Sequence, residues 1–347
     1  MTNTKTILVT GGAGYIGSHT VRVLLQQGYS VIVLDNLSTG HRDSIPEDNP
    51  LIHFIQGNLE DPATLNKIFQ KNEIDTVMHF AGSIEAGESM QNPAKYFSNN
   101  TVNTLRLLEA MKAHNVKKII FSSTAAVYGE PQYTPIDEQH QKQPTNYYGL
   151  SKLMIEQILE AFDHAYGVKS VSLRYFNAAG ADEHGLLGED HNPETHLIPL
   201  LIKTVFHANQ SRGSQNNSSK NFAENKKFSI FGTDYPTKDG TCIRDFIHVM
   251  DLAEAHVLAL KYLQQGGKSE QFNVGSETGY SVKEIIRSVE EITGEKIPLQ
   301  EEPRRAGDPA VLIASSKKIK TMLVWHPQQD LHQILRSALQ WHRKRHG

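Results

Sequence analysis

The sequence predicts an α/β fold, a Rossmann-type doubly wound parallel sheet carrying a smaller α+β substrate lobe, and three observations predict it. An apolar strand at the start of the chain runs directly into a glycine turn and a helix. Apolar runs then alternate with helical patterns as far as Asn177, and beyond that the rhythm breaks into a mixed, loop-rich stretch. With 347 residues, 38% of them hydrophobic, the chain can bury one or two ordinary cores.

The first strand is Thr6 to Thr10, followed by Gly11-Gly12-Ala13-Gly14-Tyr15-Ile16-Gly17 and a helical pattern through Val21, Leu24 and Leu25. In that order, backbone N–H groups and the positive helix end converge on a pyrophosphate. The spacing is Gly-x-x-Gly-x-x-Gly, which differs from the Gly-x-Gly-x-x-Gly of the common dehydrogenase fingerprint. The second strand, Val31 to Leu34, ends in Asp35. A carboxylate there bonds both hydroxyls of an adenosine ribose and repels a 2′-phosphate, so the cofactor expected is NAD.

Further strands are expected at Ile52 to Ile55, Thr76 to Phe80, Lys118 to Phe121 and Val171 to Phe176, with helices at Ala94 to His114 and Tyr148 to Tyr166. Past Asn177 come Gly180, Gly185, Gly188, Pro193 and Pro199, then a helix near Ile198 to His207. Short strands follow near Phe228 to Phe231 and Phe272 to Val274. Helices are expected near Asp251 to Leu263, Val282 to Thr293 and Gln329 to Arg343. Residues 1–178 thus form the dinucleotide domain, to which the chain returns around 233–263. Residues 179–232 and 264–347 mainly form the substrate lobe, and the polar, Ser/Asn-rich stretch 208–227 reads as a mobile surface insertion.

Composition narrows the function. A formal net charge of −3 leaves no electrostatic footprint for nucleic acid or an anionic membrane. Cys242 is the only cysteine, no signal-peptide apolar region precedes the first strand, and no apolar run approaches the length of a membrane span, so a cytoplasmic location is expected. No metal is assigned.

Tyr148 and Lys152 carry the chemistry. At i and i+4 on a helix they share one face, so the ammonium can favour the ionised phenol. A charge at ~4 Å in an effective dielectric of ~20 is worth roughly 4 kcal/mol, or about 3 pKa units, against a phenol that titrates near 10. A second cation, the oxidised nicotinamide ring, would help bring the phenol toward neutrality.

The chain resembles the extended short-chain dehydrogenase/reductase family over essentially its whole length. The likeness is carried by Val9 to His19, Leu34-Asp35-Asn36, His79 to Gly82, Phe121 to Gly129, Tyr148 to Lys152, Arg174 to Asn177, Asp239 to Asp245 and Arg304 to Asp308. The Arg174, Arg244 and Arg305 segments are similar to the nucleotide-sugar epimerases of that family. That resemblance implies C4 epimerisation of a UDP-sugar, UDP-galactose or UDP-glucose, through a transient 4-keto sugar, with an N-acetylated or other UDP-sugar as the alternative. It implies Tyr148 as base, Lys152 as its partner and Thr124 as the hydroxyl that bonds the 4-oxygen. It places NAD against Gly11, Gly14, Tyr15, Ile16, Gly17, Asp35, Asn36, Asn58, Leu59, Phe80, Ala81, Gly82, Asn99, Ser122, Tyr148, Lys152 and Tyr175. It places the UDP-sugar against Thr124, Tyr148, Asn177, Leu197, Phe231, Arg244, Arg305, Asp308 and Leu312, and it implies a homodimer. Two positions depart from the family pattern. Ser83 stands where many members carry a lysine that helps hold NAD, and Asn58 stands where an aspartate commonly meets the adenine amino group. A sugar 4,6-dehydratase would need an acid pair where this chain has Thr124-Ala125, and a non-enzymatic dinucleotide sensor has no use for Tyr148, Lys152 and Thr124 together.

Overall fold

The computed structural model describes residues 5–213, 227–305 and 307–346. Residues 214–226, the larger part of the expected 208–227 insertion, lie outside the described residues, and 208–213 belong to the helix Leu197–Gly213.

The alternation read from the sequence becomes one parallel sheet. β1 (Thr6–Thr10), β2 (Ser30–Asp35), β3 (Ile52–Gln56), β4 (Ile74–His79), β5 (Lys118–Ser122), β6 (Lys169–Tyr175) and the strand Glu270–Val274 run in the order Glu270–Val274, β6, β5, β4, β1, β2, β3. Chain order reverses between β1 and β4, which makes their carboxyl ends the switch-point crevice where a doubly wound sheet binds its ligand. Every strand pair in this sheet is parallel, so both faces must be covered. Along β1 the side chains alternate accordingly. Ile7 and Val9 pack with Val21, Leu24 and the buried residues of helix Val249–Gln264, while Leu8 packs with Leu107, Ile155 and Leu159 on the other side. Each such fully buried aliphatic side chain contributes about 1.5–3 kcal/mol.

The smaller lobe is built on two short sheets. Strand Ile243–His248 pairs with Asn177–Ala179, Gly279–Ser281 and Val311–Leu312, and strand Phe228–Phe231 pairs with Leu299–Glu302. Its core joins Leu201 and Ile202 to Ile285, Val289, Ile334 and Leu335 from the helices Val282–Thr293 and Leu331–His346. The return of the chain to the large sheet reaches past residue 263, because 270–274 supply its edge strand. Strand Ile243–His248, within the segment read as returning, pairs in the smaller lobe instead. Among the described residues no helix is long and apolar enough to cross a membrane.

The helix expected over Ala94 to His114 is three pieces: Pro93–Tyr96, a π-helical turn at Phe97–Val102, and Asn103–Ala113. The wide turn aims two amides at the crevice. Asn99 Nδ2 donates to Ser83 Oγ at 2.9 Å, and Asn100 accepts from the Ser83 N–H at 2.8 Å and donates to its carbonyl at 3.0 Å.

Candidate active site

The glycine turn divides its labour among three positions. A Cβ on Gly11, at φ +71°, would lie 2.5 Å from the Ala81 nitrogen, and one on Gly17 would lie 2.2 Å from the Gly11 carbonyl oxygen. Those two glycines let strand, turn and helix close on one another. A Cβ on Gly14 would meet only the Gly11 oxygen, at 3.4 Å, so that position leaves room for a ligand. Helix Tyr15–Gln26 starts there with no side-chain cap and no acidic residue in its first turn. Its first N–H groups and dipole therefore suit a pyrophosphate. Asp35, buried at the end of β2, accepts from the N–H groups of Ala13 at 2.9 Å and Leu37 at 2.8 Å. Each oxygen keeps a second lone pair for a ribose hydroxyl. Asn36 is exposed beside it, and Asn58 takes the Glu60 N–H at 3.3 Å next to buried Leu59.

On the other side of the crevice, Asn146 caps helix Tyr147–Tyr166 by accepting the Gly149 N–H at 2.8 Å. A Cβ on Gly149 would lie 2.5 Å from the Ala126 carbonyl oxygen, so glycine lets the start of this helix press against the turn after β5. That contact sets Tyr148 beside Thr124. The Thr124 hydroxyl oxygen accepts the Ala126 N–H at 3.1 Å, and the same hydroxyl lies close enough to the Tyr148 phenol to favour its ionised form. It caps the turn and meets the phenol at once. Burial pushes the Tyr148 phenol well up, with help from Tyr175 and against the nearby Thr124 hydroxyl.

Lys152 corrects the simplest form of the sequence argument. Its ammonium is buried one turn below Tyr148 and donates to the Ser122 carbonyl at 2.9 Å, 4.9 Å above the Phe121 ring. Burial pulls it down to about 8. Burial is the strongest influence on the phenol, and the Lys152 ammonium, with one of its three donors on the strand end, keeps two for a ligand. Ser122 Oγ pairs with the Tyr175 hydroxyl at 2.8 Å. Phe80, Ala81 and Gly82 continue from β4 along the same rim, with the Phe80 ring 4.7 Å from that of buried His256.

A third group assembles in the smaller lobe. Arg244 donates to the carbonyls of Ile243 at 2.9 Å and Pro309 at 2.8 Å and stands 3.4 Å from Asp308. Arg305 lies over the Phe231 ring at 3.9 Å. Burial pushes up the thiol of Cys242, which also feels the charges of Arg244, Asp308 and Arg305, so these residues share one neighbourhood. Asn177 donates to the Asp245 carbonyl at 2.9 Å, and half-buried Leu197 opens helix Leu197–Gly213. Leu312 pairs in register with Arg244 and packs on Ala125, Val127 and Tyr128, directly after Thr124.

The profile of the NAD dependent epimerase/dehydratase family matches residues 7–275, from β1 through the last strand of the large sheet. The chain belongs to that family. It is similar to a UDP-glucose 4-epimerase of Lacticaseibacillus casei, 50% identical over 338 residues, which covers 97% of this chain and 96% of the relative. Among solved structures it is similar to the UDP-glucose 4-epimerase of Bifidobacterium longum in complex with NAD+ and UDP, with TM-score 0.87, 40% identity and 98% of each chain covered. It is also similar to the UDP-Glc/GlcNAc 4-epimerase of Campylobacter jejuni, with TM-score 0.81 and 43% identity, covering 98% of this chain and 99% of that one.

Two features of this epimerase-family site escaped the sequence reading. Glu156, one further turn along from Lys152, holds Arg174 through two bonds of 2.9 and 2.6 Å and accepts from Ser123 Oγ at 2.6 Å. Arg174 also donates to the Tyr128 hydroxyl at 2.9 Å, which passes to Asn273 at 2.6 Å. This buried network locks the Tyr148 helix to the ends of β5 and β6. Asp245 is the second. Fully buried beside Arg244, it accepts from Ser276 N at 2.8 Å, Ser276 Oγ at 2.7 Å, Glu277 N at 3.0 Å and Ala314 N at 3.1 Å, and burial raises it to about 6.

Proposed function

We propose that this chain interconverts UDP-galactose and UDP-glucose by epimerisation at C4, as a UDP-glucose 4-epimerase with tightly held NAD. The observation that carries the reading is the buried Tyr148–Thr124 pair at the carboxyl ends of the parallel strands, with Lys152 beneath it. Tyr148 takes the proton of the sugar 4-hydroxyl, and Thr124 holds the 4-oxygen and relays that proton. NAD, when bound, supplies the two-electron acceptor and donor. The residues suited to hold it are Gly14, Tyr15 and Ile16 at the pyrophosphate, Asp35 and Asn36 at the ribose, Asn58 and Leu59 at the adenine, and Phe80 to Gly82, Asn99, Ser122, Lys152 and Tyr175 along the nicotinamide side. Asn177, Leu197, Phe231, Arg244, Arg305 and Asp308 anchor UDP, which leaves the 4-keto sugar free to present its other face to the returning electrons.

We further infer a homodimer working in cytoplasmic galactose metabolism. Met90, Val102, Tyr147 and Tyr166 leave apolar surface exposed on the adjoining helical segments 86–113 and 147–166, which supports the dimer. The deciding experiment incubates the purified protein with UDP-galactose and no added cofactor. UDP-glucose should accumulate to equilibrium, and denatured protein should release NAD. A protein that releases no NAD and turns over only with cofactor added in solution would overturn tight retention, and no turnover under either condition would overturn the reading.

A further inference from the structure

Between Gly180 and helix Leu197–Gly213 the loop folds four donors onto one point. Single donor atoms of Glu189, His191, Glu194 and His196 all lie within 4.8 Å of one another. His191 Nδ1 is 3.4 Å from Glu189 Oε1 and 3.7 Å from Glu194 Oε1, while His196 Nδ1 is 2.6 and 3.6 Å from the same two atoms. Tetrahedral zinc, with bonds of about 2.0–2.1 Å to histidine nitrogen and carboxylate oxygen, sets its donors about 3.3 Å apart. Three of the four measured edges lie within about 0.4 Å of that spacing. Of the four measured edges, only the His196–Glu189 ion pair, at 2.6 Å, has to open.

We propose that Glu189, His191, Glu194 and His196 form a structural site for a divalent cation of the zinc class. Mixed nitrogen and oxygen donors suit zinc better than calcium or magnesium, which take oxygen shells. Both carboxylates are buried, and His191 Nδ1 is a buried atom with no aligned hydrogen bond although two carboxylate oxygens stand nearby. Such a nitrogen, facing two anionic oxygens, calls for a cation between them. Glu194 Oε1 is held in place by the N–H groups of Thr195 and His196, each at 3.0 Å, one of which would yield its lone pair to the ion. The half-exposed ring of His196 leaves an entry path. Four protein donors close the coordination sphere, so the ion would serve structure rather than catalysis. It would tie the loop against Tyr15, whose ring meets His191 edge-on, and against Glu85, which accepts from the Thr195 hydroxyl at 2.8 Å. Both ends of the active site would then be fastened through one point.

The test uses untagged protein stripped with a chelator, equilibrated with zinc alone and freed of excess metal before its metal content is measured by mass spectrometry. The wild type should retain one zinc per chain and show a higher Tm than the stripped protein. Cobalt in its place should give the visible absorption of a tetrahedral site. His191→Ala combined with His196→Ala, and separately Glu189→Gln, should lose both the bound metal and the zinc-dependent part of Tm. His332→Ala, at an exposed histidine elsewhere, should keep both. Should the double variant fail to fold, Glu189→Gln, which keeps shape and hydrogen bonding, reads the metal by itself. Wild type that retains no more zinc than Glu189→Gln, or whose Tm ignores zinc, would overturn the site and leave two imidazolium–carboxylate pairs.

Discussion

At the scale of single residues the site depends on a phenol held in the wrong protonation state until its partners act. Burial keeps Tyr148 protonated, and the buried Lys152 ammonium, already down to about 8, is itself a costly charge. An oxidised nicotinamide ring, once bound beside the phenol, would add the further positive charge, which would tie the base strength of Tyr148 to the oxidised cofactor. Removing only the phenolic oxygen, Tyr148→Phe, should lower kcat about 10²–10⁴-fold with Tm and UDP affinity unchanged. Turnover within a few-fold of wild type would remove Tyr148 from the mechanism. Leu312 belongs to the same scale. It packs on the segment that follows Thr124, and under the proposed function a branched side chain there would crowd a 2-acetamido group at a cost on the order of 1–3 kcal/mol. UDP-glucose and UDP-galactose should therefore be the main substrates. Leu312→Ser should raise kcat/KM for the N-acetylated pair selectively, and equal kcat/KM for both pairs in the wild type would show that Leu312 is no gate.

At the scale of elements, the glycine turn offers a separation of folding from binding. Gly17→Ala drives a Cβ into the Gly11 carbonyl and should cost about 1–3 kcal/mol of stability. Gly14→Ala makes only an ordinary contact with the Gly11 oxygen, at 3.4 Å, and keeps an ordinary φ of −78°, so stability should stay within about 0.5 kcal/mol while copurified NAD is lost. Thermal melts alongside NAD content per chain distinguish the two, and Gly14→Ala with its full complement of NAD would show that this position does not face the pyrophosphate. The turn was legible in the sequence because strand, glycines and helix are contiguous, and Tyr148 with Lys152 because one helix carries both. Asp245 and Glu156 were not. Their partners lie 31 to 69 positions away for Asp245 and 18 to 33 for Glu156, so the chain gives no local sign that these charges are buried and satisfied. Strand Ile243–His248 was missed for the same reason, since Arg244, Asp245 and His248 mask its apolar residues. The π turn at Phe97–Val102 hid inside a helical pattern that a single inserted residue barely disturbs.

For the molecule as a whole, buried histidines govern behaviour in acid. Burial holds His19, His248, His256 and His342 down to about 4 and His79 to about 3, against 6.5 when exposed. Their folded values lie below the unfolded value, so the contribution of these five is complete above pH 6.5 and is lost toward pH 4 as the unfolded chain alone takes up protons. Asp245 and Asp251, raised to about 6, act oppositely, because the folded state holds their protons first. These five histidines outnumber the two carboxyls, so among these groups the unfolded chain is the net proton acceptor near pH 5 and stability falls there. Urea midpoints should drop steeply between pH 6.5 and 5, and a flat profile there would mean the imidazoles are not buried neutral. The edge strand Glu270–Val274 has another consequence, for the ribosome. It covers β6, yet residues 176–269 must be made before it exists, which at about 5–20 residues per second takes roughly 5–20 s. Throughout that interval each growing copy displays a row of unpaired backbone groups along β6, open to the same edge on a neighbour in the polysome.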